Sequence, residues 1–271
     1  MKRREFVVAS ALGSFGLGSR QMTLDHSSLR VDALTGAADE RGARAGTRKI
    51  LIAGGGFNKP FIRYMAQLTG KSRPKIMYLP TASADKPGTF LQSCEGLDVE
   101  PSIQNSFISS YRQTQTWEEA LLSVDAIVAS GGNTLNQQVI WKAQGIDLIL
   151  RKAWDQGIVL GGASAGSLCW FEEGTTDSRP KELSIVQCLG FIKGSHSPHY
   201  DREAPRRPTY LKMVGAGELK PGYACHNDAG IYFEDNVVKR VVHTRADAKV
   251  FHVTRVGNQA VETELPAEMI D

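Results

Sequence analysis

Cysteine is scarce in this 271-residue chain: Cys94, Cys169, Cys188 and Cys225 lie far apart, with no C-x-x-C pair and no Cys/His spacing of a zinc site. That excludes a disulfide scaffold and a zinc module, and buried free thiols are the expectation. An excess of either charge is also missing. The 32 Lys+Arg against 29 Asp+Glu leave a formal net charge of +3, too little for the basic face that nucleic acid requires. No apolar run reaches the about 20 residues that span a bilayer, so stable membrane insertion is not expected. Repeats and low-complexity tracts are absent, and no glycine-rich segment has the G-x-G-x-x-G spacing or the Walker lysine of a nucleotide site. With 41% hydrophobic and 23% charged residues, the composition is that of a soluble globular protein.

Residues 1–20 stand apart. Lys2, Arg3 and Arg4 precede an apolar stretch from Phe6 to Gly18, which fits a secretory h-region and resembles a twin-arginine export signal, although no A-x-A cleavage site follows. Residues 21–47 are polar and rich in Ala and Gly, and read as a flexible connector. The expected organisation is an export leader (1–20), a linker (21–47) and one catalytic domain (48–271), with a periplasmic or secreted location if the leader works and a cytoplasmic one otherwise.

From residue 48 onward, short apolar runs alternate with amphipathic ones. Strands are expected at residues 49–53, 75–79, 125–129 and 158–160, and helices at 60–68, 117–122 (with Thr116 as N-cap) and 146–154. Near-continuous apolar strands between helices imply a doubly wound, mostly parallel α/β sheet covered on both faces. Runs at 231–233, 237–242 and 249–253 suggest antiparallel strands completing it near the C-terminus. In such sheets a ligand sits beyond the strand C-termini, where the glycine-rich segments 54–56, 131–132 and 161–162 fall.

One of these segments carries chemistry. Gly162-Ala163-Ser164-Ala165-Gly166 follows a strand and matches the G-x-S-x-G nucleophile elbow. A sharp turn there would expose the Ser164 hydroxyl and aim the Ala165 N–H at an oxyanion, with residues 167–172 continuing as a helix. A serine nucleophile needs a base. His196 and His199 flank Pro198 in what reads as a loop, with Asp177 or Asp201 as the orienting acid. His226-Asn227-Asp228 repeats the H-x-acid spacing and is the strongest of the remaining histidine patterns. A second oxyanion donor is expected from the Gly131-Gly132-Asn133-Thr134 loop, and the triple glycine 54–56 is read as a close-approach loop lining the cleft.

Together, residues 130–134 (SGGNT), 162–166 (GASAG) and 197–200 (SPHY), followed by Arg206-Arg207-Pro208, resemble the peptidase E (aspartyl dipeptidase) family of serine peptidases, within the class I glutamine amidotransferase-like superfamily. The resemblance runs over about residues 48–255. It implies Ser164 as nucleophile, His199 rather than His196 as base, and Asp177 as acid. The N–H groups of Gly132 and Ala165 become the oxyanion donors. Arg207, with Arg206 and Asn133, would bind the substrate, an N-terminal aspartyl carboxylate being gripped by a guanidinium. The expected reaction is hydrolysis of short peptides through an acyl-enzyme, without metal or organic cofactor, and it should weaken on acidification as the base is protonated. A homodimer is compatible with this reading. Two departures from the family pattern stand out: Ser130 where a first glycine is usual, and the leader itself. Rival readings are an α/β-hydrolase esterase, a cyanophycinase-like β-aspartyl peptidase, and an exported binding protein without catalysis.

Overall fold

Four apolar strands and one polar edge strand, Glu100–Ile103, make up the parallel part of the structure, a computed structural model that describes residues 46–271. Strands β1 (Lys49–Ala53), β2 (Lys75–Leu79), β3 (Glu100–Ile103), β4 (Ala126–Ala129) and β5 (Val159–Ala163) run parallel in the order β1-β5-β4-β2-β3. Connecting them are α1 (Lys59–Thr69), α2 (Phe90–Cys94), α3 (Trp117–Leu121), α4 (Thr134–Gln144) and α5 (Ile146–Asp155). A capping box starts α3, since Thr116 accepts from the Glu119 N–H while Glu119 accepts from the Thr116 N–H. The leader, most of the expected linker and His26 lie outside the described residues; Gly46 packs against the Gln156–Gly157 backbone.

Side-chain alternation along these strands divides the core. Ile50, Ile52, Ile127 and Leu160 point to one face, under Trp141, Leu150 and Trp154 of α4 and α5. Leu51, Ala53, Ala126 and Val128 point to the other, against Phe61, Ile62 and Met65 of α1 and Phe90 of α2. All these strand residues are essentially fully buried, and each large aliphatic one contributes about 1.5–3 kcal/mol on leaving water.

The second half departs from a single completed sheet. After the short helix α6 (Ala165–Leu168), strands β6 (Phe171–Thr176), β7 (Ser184–Gln187), β8 (Ile192–Ser197) and β9 (Gly222–Cys225) begin another sheet, with α7 (Arg206–Ala216) inserted before β9. Strands β10 (Ala229–Glu234), β11 (Val237–His243) and β14 (Glu268–Met269) extend the first sheet beyond β1, giving β14-β11-β10-β1-β5-β4-β2-β3. Strands β12 (Val250–Val256) and β13 (Gln259–Leu265) join the second, giving β13-β12-β9-β8-β6-β7. The expected antiparallel C-terminal strands are therefore divided between two sheets. The expected helix at 167–172 stops at Leu168, and the histidine segment read as a loop is in part β8. Both strands are polar and short, so their apolar alternation is too weak to read. The second sheet packs Phe171, Ile192 and Cys225 into the same core as Ile50 and Ile52.

The four thiols are unpaired. No helix among the described residues is long and apolar enough to cross a membrane.

Candidate active site

Two glycines, Gly162 in β5 and Gly166 in α6, flank the turn for a steric reason. A Cβ on Gly162 would run into the Ala129 carbonyl, and one on Gly166 would lie 2.6 Å from the Ala129 carbonyl carbon. Only glycine lets the turn fold this close to the end of β4. Ser164, between them, is forced to φ 59° and ψ −120°, a region that non-glycine residues enter only under constraint. Its N–H donates to the Ala53 carbonyl at 3.3 Å, and α6 starts immediately after it.

A buried polar brace sits under this turn. Ser167 Oγ donates to the Ser164 carbonyl (2.7 Å) and lies 2.9 Å from His196 Nε2. His196 Nδ1 donates to the Tyr223 carbonyl at 2.9 Å, and its ring stacks on Phe171 at 4.7 Å. Burial pushes the His196 imidazole down to about 3. This histidine holds the elbow from beneath and is enclosed on all sides.

His199 hangs from the neighbouring position of β1: its N–H donates to the Gly54 carbonyl at 3.1 Å, and its own φ is 54°. Ser164 and His199 are thus tied to consecutive carbonyls, those of Ala53 and Gly54. The imidazole Nδ1 donates to Asn227 Oδ1 at 2.8 Å. That bond holds the proton of a neutral ring on Nδ1, so that Nε2 is the nitrogen left to accept. No hydrogen bond joins His199 and Ser164 among the described residues, and bonds of this kind often tighten only around substrate. The close-approach reading of the triple glycine fits the geometry: a Cβ on Gly55 would stand 2.6 Å from Asn227 Cγ and 2.7 Å from His199 Nδ1.

The structure does not bring Asp177 to His199. Its carboxylate is 63% exposed and faces Arg206 Nη2 at 3.5 Å. Asp201 does not touch the ring either; it works one step back. Asp201 Oδ1 accepts from the Asn227 N–H at 2.7 Å, and Oδ2 pairs with Arg245 at 2.7 Å. Burial opposes its ionisation, but the Asn227 N–H, His226 and Arg245 outweigh that and hold its carboxyl below the usual range. Arg245 also pairs with Asp228 and Asp247 and donates to the Asn227 carbonyl, clamping the turn that presents Asn227. Sequence reading drew attention to the two ends of His226-Asn227-Asp228, whereas the middle residue turns inward. Nothing in the local pattern singles out an asparagine between two ionisable groups.

The two residues expected to face an oxyanion lie in the loop after β4 and at the start of α6. Gly132 has φ 128°, and its Cβ position would fall on the Ala82 carbonyl, so glycine is required there. Among the described residues, neither the Gly132 nor the Ala165 N–H has a turn, loop or cap acceptor. The Asn133 amide is engaged at both ends, accepting from the Asn136 N–H at 2.9 Å to cap α4 and donating to the Ser178 carbonyl at 3.3 Å. Beside Ser164 opens a cavity of about 200 Å³, which Gly131 and Ala163 also line.

Both arginines expected to bind substrate are committed to the protein's own groups. Arg206 is 3% exposed and meets Glu203 at 2.6 Å, the Thr175 carbonyl at 2.9 Å and Asp177. It belongs to α7, where the Arg-Arg-Pro sequence opens a helix. Arg207 holds Glu262 through Nη2 at 2.7 Å and Nε at 3.2 Å, with its guanidinium over the Tyr200 and Phe251 rings. Glu262 also accepts from the Tyr200 hydroxyl.

Comparison with known proteins agrees with this architecture. Residues 50–241 match the pattern of peptidase family S51. The chain is 36% identical over 229 residues to the uncharacterized peptidase YgaJ of Bacillus subtilis (strain 168), covering 82% of this chain and 98% of that one. The crystal structure of a peptidase from an acI-B1 Actinobacterium is similar with a TM-score of 0.62 at 15% identity, over 85% of this chain and 98% of its own. A structure from Listeria monocytogenes EGD-e named as a peptidase E protein reaches a TM-score of 0.57 at 19% identity, over 74% of this chain and all of its own (100%). At those identities the two structures speak for the fold alone. The family match and the Bacillus relative carry more, and they place this chain in peptidase family S51, as a serine peptidase acting on peptide substrates.

Proposed function

We propose that the chain hydrolyses short peptides by acyl transfer to Ser164, with His199 as base and Asn227 as the group that orients it. The observation that carries this reading is the pairing of a strained serine at φ 59° with a histidine whose Nδ1–H is held by a side-chain acceptor, both anchored at the end of β1. His199 Nε2 takes the hydroxyl proton as Ser164 attacks the carbonyl. The oxyanion that forms is met by the N–H groups of Gly132 and Ala165. His199 then returns the proton to the leaving amine, and water clears the acyl-enzyme.

Asn227 takes the place expected for Asp177. A neutral amide orients the ring and fixes the tautomer but adds no negative charge beside the developing imidazolium, as in Cys-His-Asn enzymes. The expected preference for an N-terminal aspartyl residue is not carried into this proposal, because Arg206 and Arg207 both already neutralise carboxylates of the protein.

Peptide hydrolysis by the wild type, Ser164→Ala, Asn227→Ala and Asp177→Asn tests the assignment. Ser164→Ala should abolish turnover. Asn227→Ala should lower kcat on the order of 10²-fold, within the range a positioned base contributes, and Asp177→Asn should leave it within about threefold. A loss for Asp177→Asn as large as that for Asn227→Ala would return Asp177 to the role and sink Asn227.

A further inference from the structure

The cavity beside Ser164 has walls that no part of the chemistry above explains. Tyr78 and Phe90 stack at 4.8 Å and nearly parallel, and Phe57 and Val128 line the cavity with them beside the Ser164 hydroxyl, hydroxyl and backbone polar atoms making up much of the rest. The polar side chains of this lining carry hydroxyls, including that of Thr89 at the exposed rim; among the described residues no Lys, Arg, His, Asp or Glu takes part. At about 200 Å³ it is smaller than the ~300–1,000 Å³ pockets that bury a drug-sized ligand, a space for one side chain. Its place relative to the base fixes which side chain. His199 and Asn227 are absent from the lining, which runs toward β2, β4 and α2, whereas His199 hangs from the end of β1. A base that protonates the leaving amine must face the leaving group, so the cavity lies on the acyl side.

On the acyl-transfer reading above, we propose that this cavity takes an uncharged aliphatic or aromatic side chain. That side chain belongs to the residue whose carbonyl Ser164 attacks, and the enzyme cleaves after Leu- or Phe-type residues in preference to Asp. A carboxylate placed there would give up part of its water and meet no cation, a cost that hydroxyls and backbone groups offset only in part. A leucine or phenylalanine side chain would instead exchange water for the aromatic walls, where even one methylene is worth roughly 10–200-fold in kcat/KM.

The test uses the full chain with leucyl, phenylalanyl and aspartyl p-nitroanilides, which share one leaving group. The expected result is a kcat/KM at least about tenfold higher for the Leu and Phe compounds than for Asp. Thr89→Lys, which adds a cation at the rim, should narrow that ratio by about tenfold or more by raising Asp turnover. Equal turnover of all three would overturn the inference, as would an Asp preference that Arg207→Ala removes, and both leave the Ser164 mechanism standing. Turnover of none of them, or turnover that survives Ser164→Ala, would overturn the acyl-transfer reading and the inference with it.

Discussion

Ser164 holds a backbone conformation that costs a non-glycine residue on the order of 1–3 kcal/mol, and its neighbours Gly162 and Gly166 leave it no other path past Ala129. On the proposed acyl transfer, it is the side chain and not the backbone that chemistry requires at this position. Ser164→Gly should therefore be inactive yet unfold at a higher urea concentration than Ser164→Ala, by about 1 kcal/mol, because glycine removes the φ penalty and returns part of it as unfolded-state entropy. Equal midpoints for the two variants would mean the turn stores no strain. The G-x-S-x-G pattern made this residue legible in sequence. Asn227 was not, because its role depends on a turn held by Asp201 and Arg245 from distant parts of the chain.

Helix α7 is attached to the second sheet through Arg206, which reaches the Thr175 carbonyl at the end of β6 and the Glu203 carboxylate just before the helix. Read in sequence, Arg206 and Arg207 are equivalent neighbours. Helical geometry turns one inward to 3% exposure and leaves the other half exposed, against Glu262 of β13. The carboxylates around buried Arg206 are themselves exposed to water, whereas half-exposed Arg207 neutralises a mostly buried Glu262. Arg206→Ala should lose about 1–3 kcal/mol of unfolding free energy through the unsatisfied Thr175 carbonyl, and Arg207→Ala at least as much, because it leaves the mostly buried Glu262 carboxylate uncompensated, as urea titrations would read. A loss for Arg207→Ala well below that for Arg206→Ala would contradict the division of roles drawn here. Strands β6 and β8 escaped the sequence reading for a related reason. Their residues form a sheet because Phe171, Ile192 and His196 find a ready surface to cover, not because their own alternation is strong.

For the molecule as a whole, the acid side of its stability depends on His196. Unfolded, its imidazole takes a proton below about 6.5; folded, it resists until about 3. Between those values the unfolded chain binds more protons, so stability is complete above the unfolded value and declines as pH falls, by about 1.4 kcal/mol per unit from this group. Urea midpoints measured at pH 7.5, 6 and 5 should fall accordingly, and His196→Gln should flatten that slope. A variant with the wild-type slope would assign the acid sensitivity elsewhere.

What the sequence determined by itself was whatever rests on local pattern: the apolar strands β1, β2, β4 and β5, the capped helix α3, and the sharp turn at Ser164. Each follows from residues within a few positions of one another, through side-chain periodicity, a cap or a sterically required glycine. Only the tertiary structure decided which acceptor meets His199, which arginine is buried, how the C-terminal strands divide between two sheets, and what lines the cavity. Those outcomes depend on pairings such as His199 with Asn227 and Arg207 with Glu262, separated by 28 and 55 positions. No local propensity encodes such a contact; it exists only once packing has closed the chain around it.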